Sequence, residues 1–579
     1  MKKNVFALLL AVMMLVCASA SAMTAGTYEA EAQGMMGAVK VAVTVTENAI
    51  EKVEVLAQSE TAGIADPALA GVPAAIVEKQ SLAVDTVSGA TVTSKAILAA
   101  AEAALTAAGA DVEALKVVEV EAREAQTIEI TTDVVVLGAG GAGVAAAVEA
   151  YDAGAKVVLL EKMGVIGGTT ATSQGMVGAY ESKYTKEKDV HYTFEEMYGN
   201  LMSNASYRLD PALTSITIEQ SGSAIDFMAD RLGMHFYDVI VGYGPLQMMH
   251  LVEGAGPAMK TAMETALAGT EIELMLETEA TEILMNEDGS VKGVVAKNGI
   301  DTVIVYADSV IVCTGGYAYN PEMTVRLDPE KRGTMGIGHV ASTGEGIMMA
   351  SNVGALLTHV NDMMCVLKDY EIMTEHNGNS TTANVSSFIS RDNTVLLGAN
   401  GKRFVNEKDI GYMTQKLNSP VFDQMHKDDL GYVWAISDKA SLEAKGVKRG
   451  LDMEFITADT FEELAEKMGL DVATVAETLN NYNSYVDAGH DPEFGRLLLA
   501  KLEAPYCAVR VMPCEIITYG GIARNEASEV IRADGTVIPG LYTAGEASAN
   551  SAYMGFTITN AFVWGRIAGA NAAAFAAAK

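Results

Sequence analysis

Three glycines, Gly138, Gly140 and Gly143, stand in the pattern GAGGAG directly after the strand-like run TDVVVL. That spacing permits a tight turn and lets backbone N–H groups approach a pyrophosphate at the start of a helix. The helix follows as the Ala-rich GVAAAVEAYDAG, and a second strand, KVVLL, leads to Glu161. An acid at that point can accept hydrogen bonds from an adenosine ribose. Glycines, helix, second strand and acid together point to dinucleotide binding rather than to a structural turn.

Far upstream, DTVSGATVTS gathers Ser88, Thr91, Thr93 and Ser94 around a Gly89–Ala90 step. Taken alone, this is a hydroxyl-rich cap for the helix that opens near Ser94. A flexible step of small residues would also expose a hydroxyl to a modifying enzyme, with Asp85 able to help bind a metal–flavin donor. The residues themselves leave both readings open.

A longer ligand than NAD is suggested by GGTTATSQGM, Gly167 to Met176, whose small residues and hydroxyls suit the phosphate and ribityl chain of FAD. The series continues through TEATEIL, VIVCTGGYAYNPEM, STGEGIMMA and IPGLYTAGEASAN. With these ordered segments the chain resembles the flavoprotein subunits of fumarate reductases and the related urocanate and ketosteroid flavoenzymes, over nearly the whole mature chain. The resemblance implies non-covalent FAD held by Gly138, Gly140, Gly143, Glu161, Gly168, Thr169, the backbone of Ala280, Gly315, Gly316, Glu345, Glu546 and Ile558. DTVSGAT also resembles the Asp-x-x-Ser-Gly-Ala-Thr signature of domains that carry FMN by a phosphoester bond, which implies Thr91 as the attachment point. Such an FMN implies a flavin transferase to attach it and a membrane-side electron donor to reduce it, and it would relay electrons to the FAD.

In that family reduced FAD gives hydride from N5 to an activated C=C bond, and a side chain protonates the neighbouring carbon. Fumarate reductases place an arginine acid just after RFVNE and clamp a carboxylate with histidine and arginine near the C-terminus. Here GKRFVNEKDIGYMTQ puts Gly411 at the arginine position with Tyr412 beside it. Ile517 and Thr518 stand where those enzymes carry histidine and threonine, and Tyr553 falls at the clamping arginine. Without cationic clamps a buried dicarboxylate would be poorly compensated, so fumarate is not the expected substrate. A phenol can donate to a ketone oxygen and stabilise an enolate. Tyr553, Tyr412 and Tyr519 are therefore the candidate catalytic residues, although a chain with 21 tyrosines supplies one at many positions by chance. His359 and His376 read as surface or structural histidines, and Arg403 as a fold-stabilising ion pair. Lys368 and Arg391 keep a monocarboxylate substrate open.

These residues need several elements to position them. At 579 residues the chain is too long for one core. The expected fold is α/β: a Rossmann-like FAD-binding domain (131–362 and 503–579) with an inserted α+β cap (363–502). A small α+β FMN-binding domain (24–110) and a charged linker (111–130) precede it. Lys2 and Lys3, the apolar run from Val5 to Val16 and then CASASA read as a signal peptide over 1–22, which implies an extracytoplasmic protein. The formal charge of −34 argues against nucleic acid or anionic lipid as partner. No metal-ligating set is expected: Cys313, Cys365, Cys507 and Cys514 show no Cys-x-x-Cys spacing, and a Cys507–Cys514 disulfide or buried free thiols both suit them. The expected activity is reduction of a conjugated C=C bond in a small unsaturated substrate. The alternatives are a ketosteroid-like enone dehydrogenase, a fumarate- or urocanate-type carboxylate reductase, and a flavin electron carrier with no substrate of its own.

Overall fold

In the computed structural model the chain forms two compact units, Met1–Ala125 and Gln126–Lys579. The residues it describes are 23–60, 65–87, 90–117, 124–188, 190, 192–243, 246–376, 393–408, 419–444, 446–451, 453–497, 500–550 and 555–579. The expected signal peptide and part of the linker lie outside them. No helix among the described residues is long and apolar enough to cross a membrane.

The first unit is an antiparallel sheet of β1 (Gly26–Gln33), β2 (Ala38–Val45) and β3 (Ile50–Ala57), in that order, with α1 (Asp66–Lys79) and α2 (Thr91–Ala107). Alternation on β2 buries Val39, Val41, Val43 and Val45. Helix α2 meets that face with Ile97, Ala100, Ala101, Ala104 and Leu105, the spacing of one stripe on a helix.

The second unit opens with β4 (Thr127–Leu137), α3 (Gly141–Asp152) and β5 (Val157–Leu160). After α4 (Pro211–Asp230) come β6 (Glu273–Met275), β7 (Thr278–Met285), β8 (Val291–Asn298) and β9 (Asp301–Val312), then α5 (Glu345–Asn352). The chain next builds a second sheet around β10 (Met363–Asp369), β11 (Val395–Leu397), β12 (Val433–Asp438) and the long β13 (Tyr506–Thr518). It then returns through β14 (Val537–Thr543) and α6 (Thr557–Ala577). The first sheet runs β7-β8-β9-β4-β5-β6, and β14 continues on β9 beyond β8.

The carboxyl-terminal ends of β4 and β9, and all of β5, are continuously buried because both faces of the sheet are covered there. Val134, Val136, Val157, Leu159 and Ile311 face one core, with α3, α4 and α6. Val135, Leu137, Val158, Leu160, Val310 and Val312 face the other, with β7, β8 and α5. The small residues of α3 let it lie unusually close to α6. A Cβ added at Gly565 or Gly569 would come within 2.4 Å or 2.3 Å of the carbonyl oxygens of Ala142 and Ala146.

Candidate active site and flavin cradles

The strand ends decide where a ligand can sit. Leu137 is level with Leu160 and Val312, and Val312 is level with Thr543, so the four parallel strands β5, β4, β9 and β14 finish along one edge. Crevices at such carboxyl ends are where open parallel sheets bind ligands.

The three glycines at the end of β4 each answer a different physical need. Gly138 has φ +93°, and a Cβ there would lie 2.5 Å from the Cys313 carbonyl oxygen. A Cβ at Gly143 would fall 1.7 Å from the Gly138 carbonyl oxygen, so helix and strand could not pack. Gly140 is the opposite case: its Cβ would meet nothing nearer than Gly167 O at 3.9 Å. That open space over the first turn of α3 is the room a pyrophosphate needs beside the helix N-terminus. A backbone bridge between Gly140 and Gly167 brings the second glycine loop, with Gly168 and the half-buried Thr169, alongside the first.

Glu161 directly follows β5. Its carboxylate accepts the N–H of Ala139 at 2.8 Å and of Met163 at 2.9 Å, fixing the glycine loop, while burial raises its pKa. Glu345 opens α5, where burial is outweighed by Thr343 Oγ1 at 2.6 Å and Lys162 Nζ at 3.1 Å, which hold its pKa below the usual value. Lys162, which the sequence reasoning missed, directly follows Glu161. Ala280 is buried on β7.

A second cluster forms where β9, β13 and β14 end. Glu546, in the turn after β14, accepts the Thr518 N–H at 2.9 Å and its hydroxyl at 3.3 Å, and burial lifts its pKa to about 7. Gly316 is the third member: a Cβ there would strike Thr518 Oγ1 at 2.0 Å and Glu546 Oε1 at 2.4 Å. Gly315 has φ +77°, and Ile558 lies half-buried in the first turn of α6. The candidate FAD residues therefore line the edge of one sheet, and the donor set and the space at Gly140 fit the cofactor.

Of the three tyrosines, Tyr412 and Tyr553 lie outside the described residues, as does Arg391. Tyr519 is buried, its hydroxyl donates to Met364 Sδ at 3.5 Å and its N–H to the Asp362 carbonyl at 2.7 Å. It belongs to an apolar cluster with Met202, Ala205, Leu209 and Met364, bordered by Ile516 and Ile517. Arg208 approaches this region, but it is paired with the buried Asp362 carboxylate.

Arg403 is enclosed in a network: its guanidinium meets Glu407 twice, at 3.0 and 2.8 Å, and Asp491 at 3.0 Å. Arg496 adds a third contact to Glu407 at 2.9 Å. His359 and His376 are exposed, whereas Lys368 is buried and its pKa falls to about 8 through desolvation. Glu371, Glu375 and His376 bring possible ligand atoms within 4.8 Å of one another, yet Glu371 is already committed to Arg449 at 2.6 Å. The four cysteines among the described residues are buried and free; Cys507 and Cys514 share strand β13, about 23 Å apart along an extended chain.

In the first unit, α2 starts at Thr91 with Ala90 as its N-cap, so no hydroxyl residue occupies the cap position. Thr93 and Ser94 are buried; Thr93 donates to Glu60, and Ser94 accepts the Val87 N–H at 3.0 Å while donating to Ala90 O at 2.9 Å. Thr91 is the exposed hydroxyl at the helix start, and Asp85 is exposed before it. Ser88 and Gly89 lie outside the described residues.

The FAD binding domain family model matches residues 133–557, and the FMN-binding domain model matches residues 34–106. The chain is 31% identical to a fumarate reductase (cytochrome) of Shewanella frigidimarina, over 77% of each protein. It is 29% identical to a urocanate reductase of Eggerthella lenta over 96% of this chain and 94% of that one. The solved open conformation of a flavocytochrome c3 fumarate reductase superposes with a TM-score of 0.64 at 28% identity, covering 77% of this chain and 79% of that one. The chain thus belongs to the FAD binding domain family and, with an FMN-binding domain ahead of it, is a flavin-dependent oxidoreductase acting on CH–CH groups.

Proposed function

We propose that this protein is an exported reductase of an activated, conjugated C=C bond in a substrate that does not carry two clamped carboxylates. The observation that carries this reading is the wall beside Thr518 and Glu546. Ile516, Ile517, Tyr519, Met202, Leu209 and Met364 make it apolar, and the nearby Arg208 is neutralised by Asp362. A dianion would lose its hydration there without gaining a free cation from these described residues, whereas an enone, an aryl acrylate or a styrene-like alkene would lose little.

Bound FAD would supply hydride, fed by electrons from FMN that a membrane-side donor reduces. The chain's own residues hold and orient. Gly138, Gly140, Gly143, Gly168 and Thr169 receive the phosphates, Glu161 and Glu345 the adenosine and its surroundings, and Gly316, Thr518 and Glu546 the far end of the cofactor. Tyr553 and Tyr412 supply the hydrogen bond or proton that the developing enolate requires, and Tyr519 shapes the wall. Thr91 carries FMN through a phosphoester, because its hydroxyl is exposed while Thr93 and Ser94 are turned inward. The segment over 1–22 directs export, where a flavin transferase reaches Thr91.

The test is an acceptor panel of enones, aryl acrylates, urocanate and dicarboxylates, with reduced viologen as donor. Turnover of a mono- or uncharged alkene without fumarate turnover is the expected result; brisk fumarate reduction overturns the reading. Tyr553→Phe should lower kcat with the best substrate by about 100-fold, the usual cost of one oxyanion donor. Intact mass after co-expression with a flavin transferase should show one FMN, lost in Thr91→Ala.

A further inference from the structure

Glu60 is a buried carboxylate in the first unit, 8% exposed, and no step described above uses it. Burying an acid is costly unless donors meet it. Two donors do. Oε1 accepts the Met36 N–H at 2.8 Å, in the turn between β1 and β2, and Oε2 accepts the Thr93 hydroxyl in the first turn of α2. The turn is built around the acid. The Gly34 N–H donates to Gly37 O at 2.8 Å, and a Cβ at Gly34 would stand 2.6 Å from Glu60 Oε1.

The carboxylate therefore ties the start of α2 to the β1–β2 turn. The N-cap Ala90 makes no side-chain hydrogen bond, so the first helical turn is fixed by two inward hydroxyls. Thr93 is held by Glu60; Ser94 accepts the Val87 N–H at 3.0 Å and donates to Ala90 O at 2.9 Å. Residues two apart on a helix point about 200° apart around its axis. With Thr93 drawn inward, Thr91 is left facing out, and Thr93 is indeed buried while Thr91 is exposed. Further along, Ile97, Ala100, Ala101, Ala104 and Leu105 hold α2 on the sheet by apolar packing, so the acid acts on the first turn rather than on the whole helix.

We propose that Glu60 is a positioning residue for flavin attachment: it occupies the Thr93 hydroxyl and so offers Thr91 as the acceptor. The inference rests on the reading of Thr91 as the FMN carrier. A flavin dinucleotide is the donor in that transfer. The Thr91 Oγ–phosphorus bond forms as the pyrophosphate bond breaks, AMP leaves with the bridging oxygen, and the hydroxyl proton passes to solvent. Nothing is oxidised or reduced. Glu60 makes and breaks no bond in the exchange; it sets which hydroxyl meets the donor.

The test is a time course of FMN attachment to the unmodified full chain with a flavin transferase and FAD, read by intact mass and peptide mapping, with thermal unfolding in parallel. Wild type should take FMN on Thr91. Glu60→Ala should slow attachment about 100-fold through a misplaced acceptor. Thr93→Val, close to isosteric, should slow it about tenfold, and Thr93→Ser, which keeps the donor, should stay within about threefold of wild type. Wild-type rates in folded Glu60→Ala or Thr93→Val overturn the inference while leaving Thr91 as the carrier. Thr93→Ser as slow as Thr93→Val overturns it too, because the hydroxyl would then not be what matters. Should Glu60→Ala fail to fold, Thr93→Val decides. A wild type that takes no FMN on Thr91 overturns the reading of Thr91 and this inference with it.

Discussion

Arg403 and Arg524 are both buried in the same unit, 7% and 5% exposed, and their surroundings could hardly differ more. Arg403 meets Glu407 and Asp491 and lies over the rings of Tyr482 and Phe494. Burial alone would lower its pKa, but these carboxylates raise it beyond the ordinary value. Arg524 meets one indole face, and desolvation lowers its pKa to about 9. Arg403 is held by two carboxylates of its own chain, whereas the Arg524 nitrogens have no hydrogen-bond partner among the described residues, which costs stability. The contrast predicts opposite signs. Arg403→Met leaves Glu407 and Asp491 buried beside too little positive charge and should cost about 3–5 kcal/mol in urea unfolding. An unchanged midpoint would mean that the network is ornamental.

Glu515 stands between the two extremes. It is fully buried on β13; Oε2 accepts the Thr324 hydroxyl at 2.9 Å, while Oε1 has no hydrogen-bond partner among the described residues. Desolvation raises its pKa to about 8. Between the unfolded value of 4.5 and about 8 the folded state therefore holds a proton that the unfolded state has lost. Stability falls as pH rises through that window and levels off above it. Glu515→Gln should remove this slope, so that wild type loses about 4 kcal/mol more than the variant between pH 5 and pH 9. Parallel curves in thermal melts across that range would show that Glu515 is ionised throughout.

Arg524→Met, the counterpart of the Arg403 change, should raise the free energy of unfolding by about 1–2 kcal/mol, because a flexible apolar chain replaces a buried guanidinium that has no hydrogen-bond partner among the described residues. A loss as large as that of Arg403→Met would place Arg524 among the structural ion pairs and erase the distinction between the two regions.

What the sequence disclosed follows from the range over which each signal acts. Gly138, Gly140, Gly143 and Glu161 were legible because a strand, a turn and a helix fit within one short segment, and each glycine has a local geometric reason. The meeting of Gly316, Thr518 and Glu546 joins the ends of three strands far apart in the chain, and spacing cannot announce it. Arg524 is harder still: in GGIARNEA it looks like an ordinary polar residue of a turn, and only the packing of Trp564 from α6 reveals that it is enclosed. In DTVSGATVTS the residues alone left a helix cap and a modification site open, because burial separates Thr91 from Thr93 and Ser94 and burial depends on the sheet beneath. Likewise the Ala-rich run of α3 signals a helix without signalling that Gly565 and Gly569 of α6 lie against it.

The smallest effect concerns Tyr519, a buried residue whose hydroxyl donates to Met364. Its hydroxyl rests on a thioether, a weak acceptor, inside a cluster of methionines, leucine and isoleucines. Removing it takes away the modest hydrogen bond to Met364, so Tyr519→Phe should cost about 1 kcal/mol. Because the ring, and with it the apolar wall, is retained, kcat/KM with the best alkene should stay within about threefold of wild type, under 1 kcal/mol of transition-state stabilisation. The same substitution at Tyr553 carries the much larger loss expected of a group at the reacting atoms. A Tyr519→Phe enzyme as impaired as Tyr553→Phe would move the proton or hydrogen bond to Tyr519, and would require its hydroxyl to leave Met364 when substrate binds.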